Sequence, residues 1–284
     1  MESNLTAPLN KIIKFSNVDG PGNRMSIFFQ GCNFNCLYCH NPETINICSS
    51  CGECLNVCPT KSLSFDKNGL VVWNRETCVN CDLCIKFCKN SSSPKVELVD
   101  VQYLLKEIKR VKPFIKGITV SGGECTLQYK FLTELFKEVK SIFPDLTCFV
   151  DTNGSLDLSE KKYEEFVEIT DAFMLDIKAW RKEDHLNLVA FENTNPLKNI
   201  EFLKEIGKLY EVRSVIIPNQ VDCKNLVKNV ATILSGTDIR YKLIKYRPIG
   251  VREKNIDKLV VPSNEFIENL KSSIAEFNIN SITI

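Results

Sequence analysis

Eleven of the fourteen cysteines in this chain of 284 residues lie between Cys32 and Cys88. The N-terminal segment lacks the apolar stretch of a secretory signal peptide, so we expect a cytoplasmic protein in a reducing compartment. Cysteines concentrated in this way in the cytoplasm are typical of metal ligation rather than of disulfide bonds. The net charge of +1, from 36 basic and 35 acidic residues, indicates neither a nucleic-acid-binding protein nor a membrane-surface protein.

Eight of these cysteines form two runs with the same spacing, C-x2-C-x2-C-x3-C. Bacterial ferredoxins with two [4Fe–4S] clusters have this spacing, and each of their clusters is held by three cysteines of one run and the last cysteine of the other. By that rule the second cysteine set is Cys48, Cys51, Cys54 and Cys88, and the third set is Cys78, Cys81, Cys84 and Cys58. Zinc is the alternative, but zinc sites often include histidine, and the chain has only His40 and His185.

The remaining three cysteines, Cys32, Cys36 and Cys39, form a first set with the spacing C-x3-C-x2-C. A [4Fe–4S] cluster usually has four thiolate ligands. Three thiolates would leave one iron open, and that iron can bind and reduce a substrate. The spacing therefore predicts one-electron chemistry at the first set and electron transfer at the other two. On spacing alone, a zinc knuckle or a chance group of cysteines remains an alternative for the first set.

The rest of the chain alternates short β-type segments with amphipathic helical patterns. We predict strands at residues 25–31, 117–120, 147–150, 172–177, 214–218 and 241–246. Such an alternation predicts parallel strands with right-handed crossovers, and six units predict a partial (β/α)6 parallel barrel of the α/β class. Residues 1–45 and 98–284 would form this barrel, and residues 46–97 an inserted ferredoxin-like subdomain with two clusters.

Three polar motifs follow predicted strands: SGGE (121–124), DTNG (151–154) and MLDIK (174–178). Parallel barrels carry their chemistry at the C-terminal ends of the strands, and we expect every motif of this chain there. Asp176 and Lys178 alternate to the same side of their strand. Taken singly, a Gly-Gly pair is most often a turn, and an acid beside a base is as often a solvated ion pair.

Together these segments resemble the activating enzymes of glycyl radical enzymes, within the radical S-adenosylmethionine superfamily. The resemblance runs from VDGPGNR (18–24) to VIIP (215–218) and is most specific at CNFNCLYCHNPE (32–43). The two extra cysteine runs are similar to those of the extended activases, and KIIKFSNVDGPGNR, GITVSGGE and MLDIKAW are most similar to the YjjW group.

The resemblance implies an oxidoreductase that reductively cleaves S-adenosylmethionine at a three-cysteine [4Fe–4S] cluster. The resulting 5′-deoxyadenosyl radical would then remove a hydrogen atom from a glycine of a partner glycyl radical enzyme. The implied cofactors are three [4Fe–4S] clusters, S-adenosylmethionine and a monovalent cation. The implied electron donor is a flavodoxin or a ferredoxin, and the two extra clusters would either relay electrons or help to dock the partner.

The resemblance also assigns residues to the bound groups. The implied contacts of S-adenosylmethionine are Tyr38, Gly122, Gly123, Glu124, Asp151, Lys178 and Arg247. The implied ligands of the monovalent cation are Asp151, Thr152, Met174 through its carbonyl group, and Asp176. Asp19 and Arg24 would meet the partner's glycine-bearing peptide. Family members often have a histidine at the position of Arg247, and an arginine there can donate a hydrogen bond to a ribose but cannot accept one.

Two other functions fit parts of the sequence. A radical maturase or a small-molecule radical enzyme could use the same barrel, although VDGPGNR and CHNPE favour the activases. A plain iron–sulfur electron-transfer protein would need none of the three polar motifs. Among the remaining residues, we expect His185 at the surface, and Cys125, Cys148 and Cys223 as free buried thiols.

Overall fold

A nine-stranded sheet is the frame of the computed structural model, which describes residues 5–284. The strands are β1 (Thr6–Ser16), β2 (Arg24–Phe29), β3 (Leu63–Phe65), β4 (Val71–Trp73), β5 (Glu97–Asp100), β6 (Gly117–Gly122), β7 (Thr147–Thr152), β8 (Ala172–Asp176), β9 (Leu209–Ile216), β10 (Arg240–Lys245) and β11 (Asn280–Thr283). The order in the large sheet is β11-β10-β9-β8-β7-β6-β2-β1-β5, and β3 pairs only with β4. Strands β2 and β6 to β11 run parallel, which confirms the α/β class and the partial parallel barrel.

The longer helices cover the apolar face of the large sheet, and the helices, with the exception of a four-residue helix among the cysteine runs, lie between strands of this sheet along the chain. They are α1 (Leu83–Lys86), α2 (Val101–Val111), α3 (Tyr129–Ile142), α4 (Glu164–Ile169), α5 (Lys182–Val189), α6 (Thr194–Glu205), α7 (Cys223–Leu234), α8 (Glu253–Ile256) and α9 (Asn264–Ser272). Three of them begin at a side-chain cap, because Asp100, Asp222 and Ser263 each accept a hydrogen bond from the backbone N–H three residues on. Cys125, Cys148 and Cys223 are buried free thiols, as expected.

The structure adds strands that the sequence did not predict. Antiparallel strands β1 and β5 extend the sheet beyond β2, and β11 adds a further parallel strand beside β10. Strand β1 is mostly half-buried or exposed, so it lacks the apolar run that marks the barrel strands. Strand β9 begins at Leu209, whereas the prediction began at residue 214. The prediction missed the first residues of the strand because Glu211 and Arg213 interrupt its apolar pattern.

The two faces of the parallel sheet differ in chemistry. The face that packs against the helices is apolar and includes Ile118, Val150 and Leu175, all fully buried. The opposite, inner face carries polar side chains that contact one another across strands, such as Arg213 and Asp151. Strands of parallel sheets are usually apolar on both faces, so polar residues on the inner face indicate a functional site.

Arg24 is the most deeply buried charged residue at the N-terminal end of the barrel. Its guanidinium donates to the Thr119 and Thr147 hydroxyl groups at 2.7 and 2.9 Å and to two backbone carbonyl groups. It also lies 4.1 Å from the centroid of the Phe149 ring. Arg24 therefore joins β2 to β6 and β7 where these strands begin.

We expect Arg24→Met to lower the free energy of unfolding by roughly 2–3 kcal/mol, since buried carbonyl groups would lose a charged donor. Anaerobic chemical denaturation followed by circular dichroism measures this change. Arg75→Met is the matched control, because Arg75 is 61% exposed and contacts Glu97 and the Trp73 ring at the surface. Equal stability of the two variants would contradict a structural role for Arg24.

A small hydrophobic core, separate from the main one, lies within residues 54–85. Cys54, Leu63 and Cys84 are buried there, with Val71 and Trp73 of the hairpin packed around them. The hairpin of β3 and β4 lies outside the large sheet. Cysteines thus contribute a large part of this core, which fits a segment that is organised around bound metal.

Candidate functional site

The first cysteine set lies in the loop that follows β2, at the C-terminal end of the barrel. The Cys32 N–H donates to the Ile45 carbonyl at 2.9 Å, and the Cys39 N–H donates to the Cys36 carbonyl at 3.3 Å. Burial raises the pKa of Cys32 and of Cys39 to about 12, and it raises the pKa of Cys36 as well. Thiolates at these positions therefore require a positive charge beside them, as bound iron would supply.

A segment near the C-terminus crosses this cysteine loop, and we call residues 246–256 the strap. Arg252 donates to the Asn35 side chain at 2.7 Å and to the Cys36 carbonyl at 2.9 Å. Asn255, which is 3% exposed, donates to the Leu37 carbonyl at 2.8 Å. Gly250 lies so close that a Cβ atom there would be 2.3 Å from the His40 carbonyl oxygen. The strap therefore fixes the backbone conformation of the cysteine loop.

The SGGE segment packs directly against the same loop. The Gly123 N–H donates to the Phe29 carbonyl and the Glu124 N–H to the Gly31 carbonyl, at 2.9 and 2.8 Å. A Cβ atom on Gly123 would lie 2.3 Å from the Gly31 carbonyl oxygen. The close packing of Gly123 against the cysteine loop therefore accounts for the absence of a side chain at this position.

Glu124 links the ends of β6 and β7. It is 1% exposed, and its carboxylate accepts hydrogen bonds from the Thr126 N–H, the Thr126 and Thr152 hydroxyl groups and the Asn153 N–H, at 2.6–3.0 Å. Burial raises the pKa of Glu124, whereas these four donors act in the opposite direction. With four donors already bound, Glu124 supports the site, and this arrangement is at odds with the predicted direct contact to a substrate amine.

Asp176 and Lys178 lie together at the end of β8, on the side that faces the first cysteine set. Lys178 Nζ lies 2.8 Å from Asp176 Oδ2 and 5.6 Å from the centroid of the Tyr38 ring. Burial alone would lower the pKa of Lys178, but the neighbouring Asp176 carboxylate raises it well above its ordinary value. Lys178 is only 8% exposed, so it is a charged donor held in a protected position.

Arg213 on β9 is the central residue of an ion-pair network that the sequence did not reveal. It contacts Asp151 Oδ2 at 2.9 Å, Glu211 Oε1 at 2.6 Å and the Met174 sulfur atom at 3.0 Å. Lys242 Nζ lies 3.1 Å from the same Glu211 carboxylate. Burial alone would lower the pKa of Arg213, but the carboxylates of Asp151 and Glu211 raise this pKa above its ordinary value.

The four residues predicted to hold a monovalent cation are near one another along β7 and β8, which pair Asp151 with Met174 in register. Each polar side chain among them already has a partner. Asp151 pairs with Arg213, Asp176 pairs with Lys178, and the Thr152 hydroxyl donates to Glu124. In this structure Arg213 therefore places a positive charge beside Asp151.

The VDGPGNR loop precedes β2, so it lies at the opposite end of that strand from the cysteine loop. This corrects the expectation that every motif lies at the C-terminal ends. The Asp19 carboxylate accepts hydrogen bonds from the Ser16 and Ser26 hydroxyl groups at 2.6 and 2.7 Å. Arg24 has no exposed surface, which does not fit the predicted contact with a partner peptide. Asp19 is partly exposed.

His185 departs from its expected position, and His40 contacts the backbone of Arg247. His185, which was predicted at the surface, is fully buried, because its Nδ1 atom bonds to the Phe191 carbonyl at 2.6 Å and its ring packs on Phe34. His40 Nε2 lies 2.9 Å from the Arg247 carbonyl oxygen. The exposed Arg247 lines a different cavity, between β10, α9 and β11, rather than the space beside Tyr38.

Two cavities in residues 46–97 are lined by the second and third cysteine sets. One is lined by Cys58, Cys78, Cys81 and Cys84, which is the complete third set. The other is lined by the complete second set together with Cys84. Among residues 5–284 no three His, Cys, Asp or Glu side chains converge as ligands of one metal ion would. A [4Fe–4S] cluster places each thiolate on a different iron, so its ligands surround a space instead.

Comparisons with known proteins agree with this arrangement. The sequence profile of the radical SAM superfamily matches residues 26–228. A Haemophilus influenzae protein that carries the name of a glycyl-radical enzyme activating enzyme is 31% identical, over 99% of this chain and 97% of its own length. The trans-4-hydroxy-L-proline dehydratase activating enzyme of Clostridioides difficile is 30% identical, over 93% of this chain and 94% of its own length.

Solved structures show the same fold. The crystal structure of QueE from Escherichia coli aligns with a TM-score of 0.55 at 13% identity, over 98% of this chain and 94% of that one. In the part of the chain that the structure describes, every helix is too short or too polar to cross a membrane.

Proposed function

The chain belongs to the radical SAM superfamily of oxidoreductases, and on this basis we propose that it activates a partner glycyl radical enzyme. The observation that carries the proposal is the convergence of the three polar motifs on the first cysteine set at one end of the barrel. Glu124 bonds to the Thr152 hydroxyl and the Asn153 N–H, and the Asn153 side chain reaches Cys32 Sγ at 3.9 Å. An electron-transfer protein has no need of this arrangement.

The first set would hold the catalytic [4Fe–4S] cluster. When bound, the cluster and S-adenosylmethionine supply a 5′-deoxyadenosyl radical, which takes a hydrogen atom from a glycine Cα of the partner. The residues at the strand ends hold and orient the cofactor: Lys178 is a charged donor for a carboxylate, and Tyr38 forms the wall beside it. The Tyr38 hydroxyl supports this proposal, because it is buried without a hydrogen-bond partner among residues 5–284.

Gly122 and Gly123 would offer backbone groups to the amino end of the cofactor, and Glu124 would hold their loop in place. We propose Asp151 as a second residue that contacts S-adenosylmethionine. Arg247 would contact the cofactor only after its side chain rotates out of the cavity between β10, α9 and β11. A monovalent cation bound by Asp151, Thr152, Met174 and Asp176 stays a prediction. It would have to share Asp151 with Arg213.

Lys178→Met is expected to weaken the binding of S-adenosylmethionine while the cluster is retained. Loss of one charge-assisted contact in a buried site typically costs about 2 kcal/mol, roughly thirtyfold in affinity. Asp176→Ala is expected to act in the same direction, because Asp176 holds Lys178 at 2.8 Å. Equilibrium binding to the iron-loaded protein measures both effects.

Lys182→Met is the matched control for this experiment. Lys182 begins the next helix, is 60% exposed and pairs with Glu192, so its loss should leave the affinity unchanged. If Lys178→Met binds the cofactor as tightly as the control does, the assignment of the end of β8 to the cofactor is wrong.

Residues 46–97 would form a ferredoxin-like insertion that holds two further clusters. The two cavities support this proposal, because each is lined by the four cysteines that the ferredoxin rule assigns to one cluster. A flavodoxin or a ferredoxin would be the donor of electrons. Three clusters require about twelve iron atoms per chain. Iron and sulfide analysis of the anaerobically reconstituted protein tests this number, and zinc at these cysteines without visible absorption would contradict it.

The test of the proposed function is the formation of a protein radical. The reduced protein, mixed under anoxia with S-adenosylmethionine and a glycyl radical enzyme encoded beside it, should produce a glycyl radical signal in electron paramagnetic resonance. Cleavage of S-adenosylmethionine without that signal, together with turnover of a small molecule, would favour the maturase or small-molecule radical enzyme instead.

A further inference from the structure

The insertion joins the barrel at Asn46, directly behind the first cysteine set. The Asn46 N–H donates to the Ser91 carbonyl at 3.0 Å, and its side-chain amide donates to the Asn90 carbonyl at 2.8 Å. Asn46 also pairs with Ser92 as an isolated parallel bridge. The segments that enter and leave the insertion are therefore tied together at this residue.

Asn46 is in turn fixed to the loop of the first set. It follows Ile45, whose carbonyl accepts the Cys32 N–H at 2.9 Å. The Asn46 carbonyl accepts a hydrogen bond at 2.6 Å from Gln30, which is 1% exposed. A path of covalent bonds and two hydrogen bonds therefore connects Cys88 of the second set with Cys32 of the first. It follows the chain from Cys88 to Asn90, crosses a hydrogen bond to Asn46, returns to Ile45 and crosses a second hydrogen bond to Cys32.

The cavities show which set faces the barrel. An open cavity of about 710 Å³ has Cys32 in its wall, and it shares Ser49, Lys89 and Asn90 with the cavity of the second set. The third set has no wall residue in common with this open cavity. The second and third sets share Cys84, which lines the cavities of both. The second set thus lies between the first and the third.

We propose that the insertion is an ordered electron path, in which the third set receives an electron, the second set passes it on, and the Asn46 segment connects the second set to Cys32. This inference rests on the proposed function. It decides between the two roles that the sequence left open for the insertion, because a docking module would not need a hydrogen-bonded route to Cys32.

The electron balance of this path is simple. A low-potential one-electron carrier protein loses one electron at the third set. The same electron is finally accepted by S-adenosylmethionine as its bond between sulfur and the 5′ carbon breaks, which yields methionine and the 5′-deoxyadenosyl radical. No proton is required in this step, and each intermediate station gains one electron and loses one.

The order of the sets is tested with the matched variants Cys51→Ala and Cys81→Ala. Each removes an exposed second cysteine of its run, and each should lower the iron content by about four atoms. The readout is the spin relaxation of the first cluster in the fully reduced protein, measured as microwave power saturation in electron paramagnetic resonance. Addition of S-adenosylmethionine identifies the signal of the first cluster, because only that signal should shift.

We expect Cys51→Ala to abolish the relaxation enhancement that a neighbouring reduced cluster gives to the first cluster, and Cys81→Ala to retain it. If Cys81→Ala abolishes the enhancement and Cys51→Ala retains it, the proposed order of the sets is wrong. If neither variant changes the enhancement, the proposed proximity of the second set to the first cluster is wrong. The proposed function is tested separately on the unchanged protein, which should activate the partner when dithionite is the reductant. Failure there would count against the function and not against the path.

The role of Asn46 is tested by Asn46→Leu, with Asn68→Leu as the control. Asn46 is exposed, so the substitution leaves the core intact, and Asn68 lies in the exposed β3–β4 turn, where it contacts only Asp66. Rapid-freeze spectroscopy follows reduction of the first cluster by a reduced bacterial ferredoxin. Slower reduction in Asn46→Leu alone, with unchanged iron content and cofactor binding, is the expected result. Equal rates in the two variants would exclude a route through the Asn46 side chain.

Discussion

Cys36→Ala is expected to abolish the reductive cleavage of S-adenosylmethionine. Cys36 is one of only three thiolates in the first set and is buried, and its carbonyl is held by Arg252. A cluster with two remaining protein ligands would be lost from this site. The amount of 5′-deoxyadenosine formed with dithionite as reductant measures the effect, and we expect none above background.

Cys81→Ala is the control variant for Cys36→Ala. Cys81 is exposed and belongs to the third set, so cleavage driven by dithionite should be largely retained. The two variants together separate the site of chemistry from the sites of electron transfer. Equal loss of cleavage in both, with the first cluster still present in Cys81→Ala, would contradict this division.

Glu124→Gln is expected to destabilise the site because hydrogen bonds between the strand ends are lost, rather than because a negative charge is removed. The carboxylate accepts four hydrogen bonds from donors on two strand ends, and an amide would turn an N–H₂ group towards some of them. Each buried donor left without an acceptor costs about 1–3 kcal/mol. We therefore expect a clear loss of stability together with weaker binding of S-adenosylmethionine.

Thermal unfolding under anoxia and cofactor binding should be measured on the same preparations. Glu201→Gln is the control, because Glu201 is 55% exposed and pairs with Lys204 on its own helix. If Glu124→Gln keeps the stability of the control but loses the cofactor, then Glu124 contacts the cofactor directly and the scaffold assignment is wrong.

Much of the fold was predictable because the barrel strands are apolar runs between helices. The segments around Ile118, Val150 and Phe173 showed this pattern, and all three residues are in the core. The membership of the cysteine sets was assigned from spacing, since ligands of one cluster recur at short intervals, and it stays a prediction. The strand β1 did not follow, because its residues are half-exposed and carry no clear alternation.

The parts of the site that the sequence did not reveal depend on contacts between distant residues. Arg213 and Glu211 gave no sequence signal beyond an interrupted apolar pattern in β9. Their role appears only in the structure, where β10 places Lys242 beside Glu211 and Asp151 reaches Arg213 from β7, two strands away. His185 stands in a polar stretch, yet the Phe191 carbonyl provides the partner that allows its burial. Arg24 belongs to a conspicuous motif, but only the structure shows that its guanidinium points into the barrel.

The strap has a consequence for the biogenesis of the protein. Cys36 and Arg252 are 216 positions apart, so the cysteine loop leaves the ribosome long before the side chains that fix it have been synthesised. Residues 46–97, in contrast, form their core from neighbouring residues and can fold during translation. The clusters proposed for the insertion would therefore form on the nascent chain, whereas the first cysteine set reaches its final conformation only when synthesis is nearly complete.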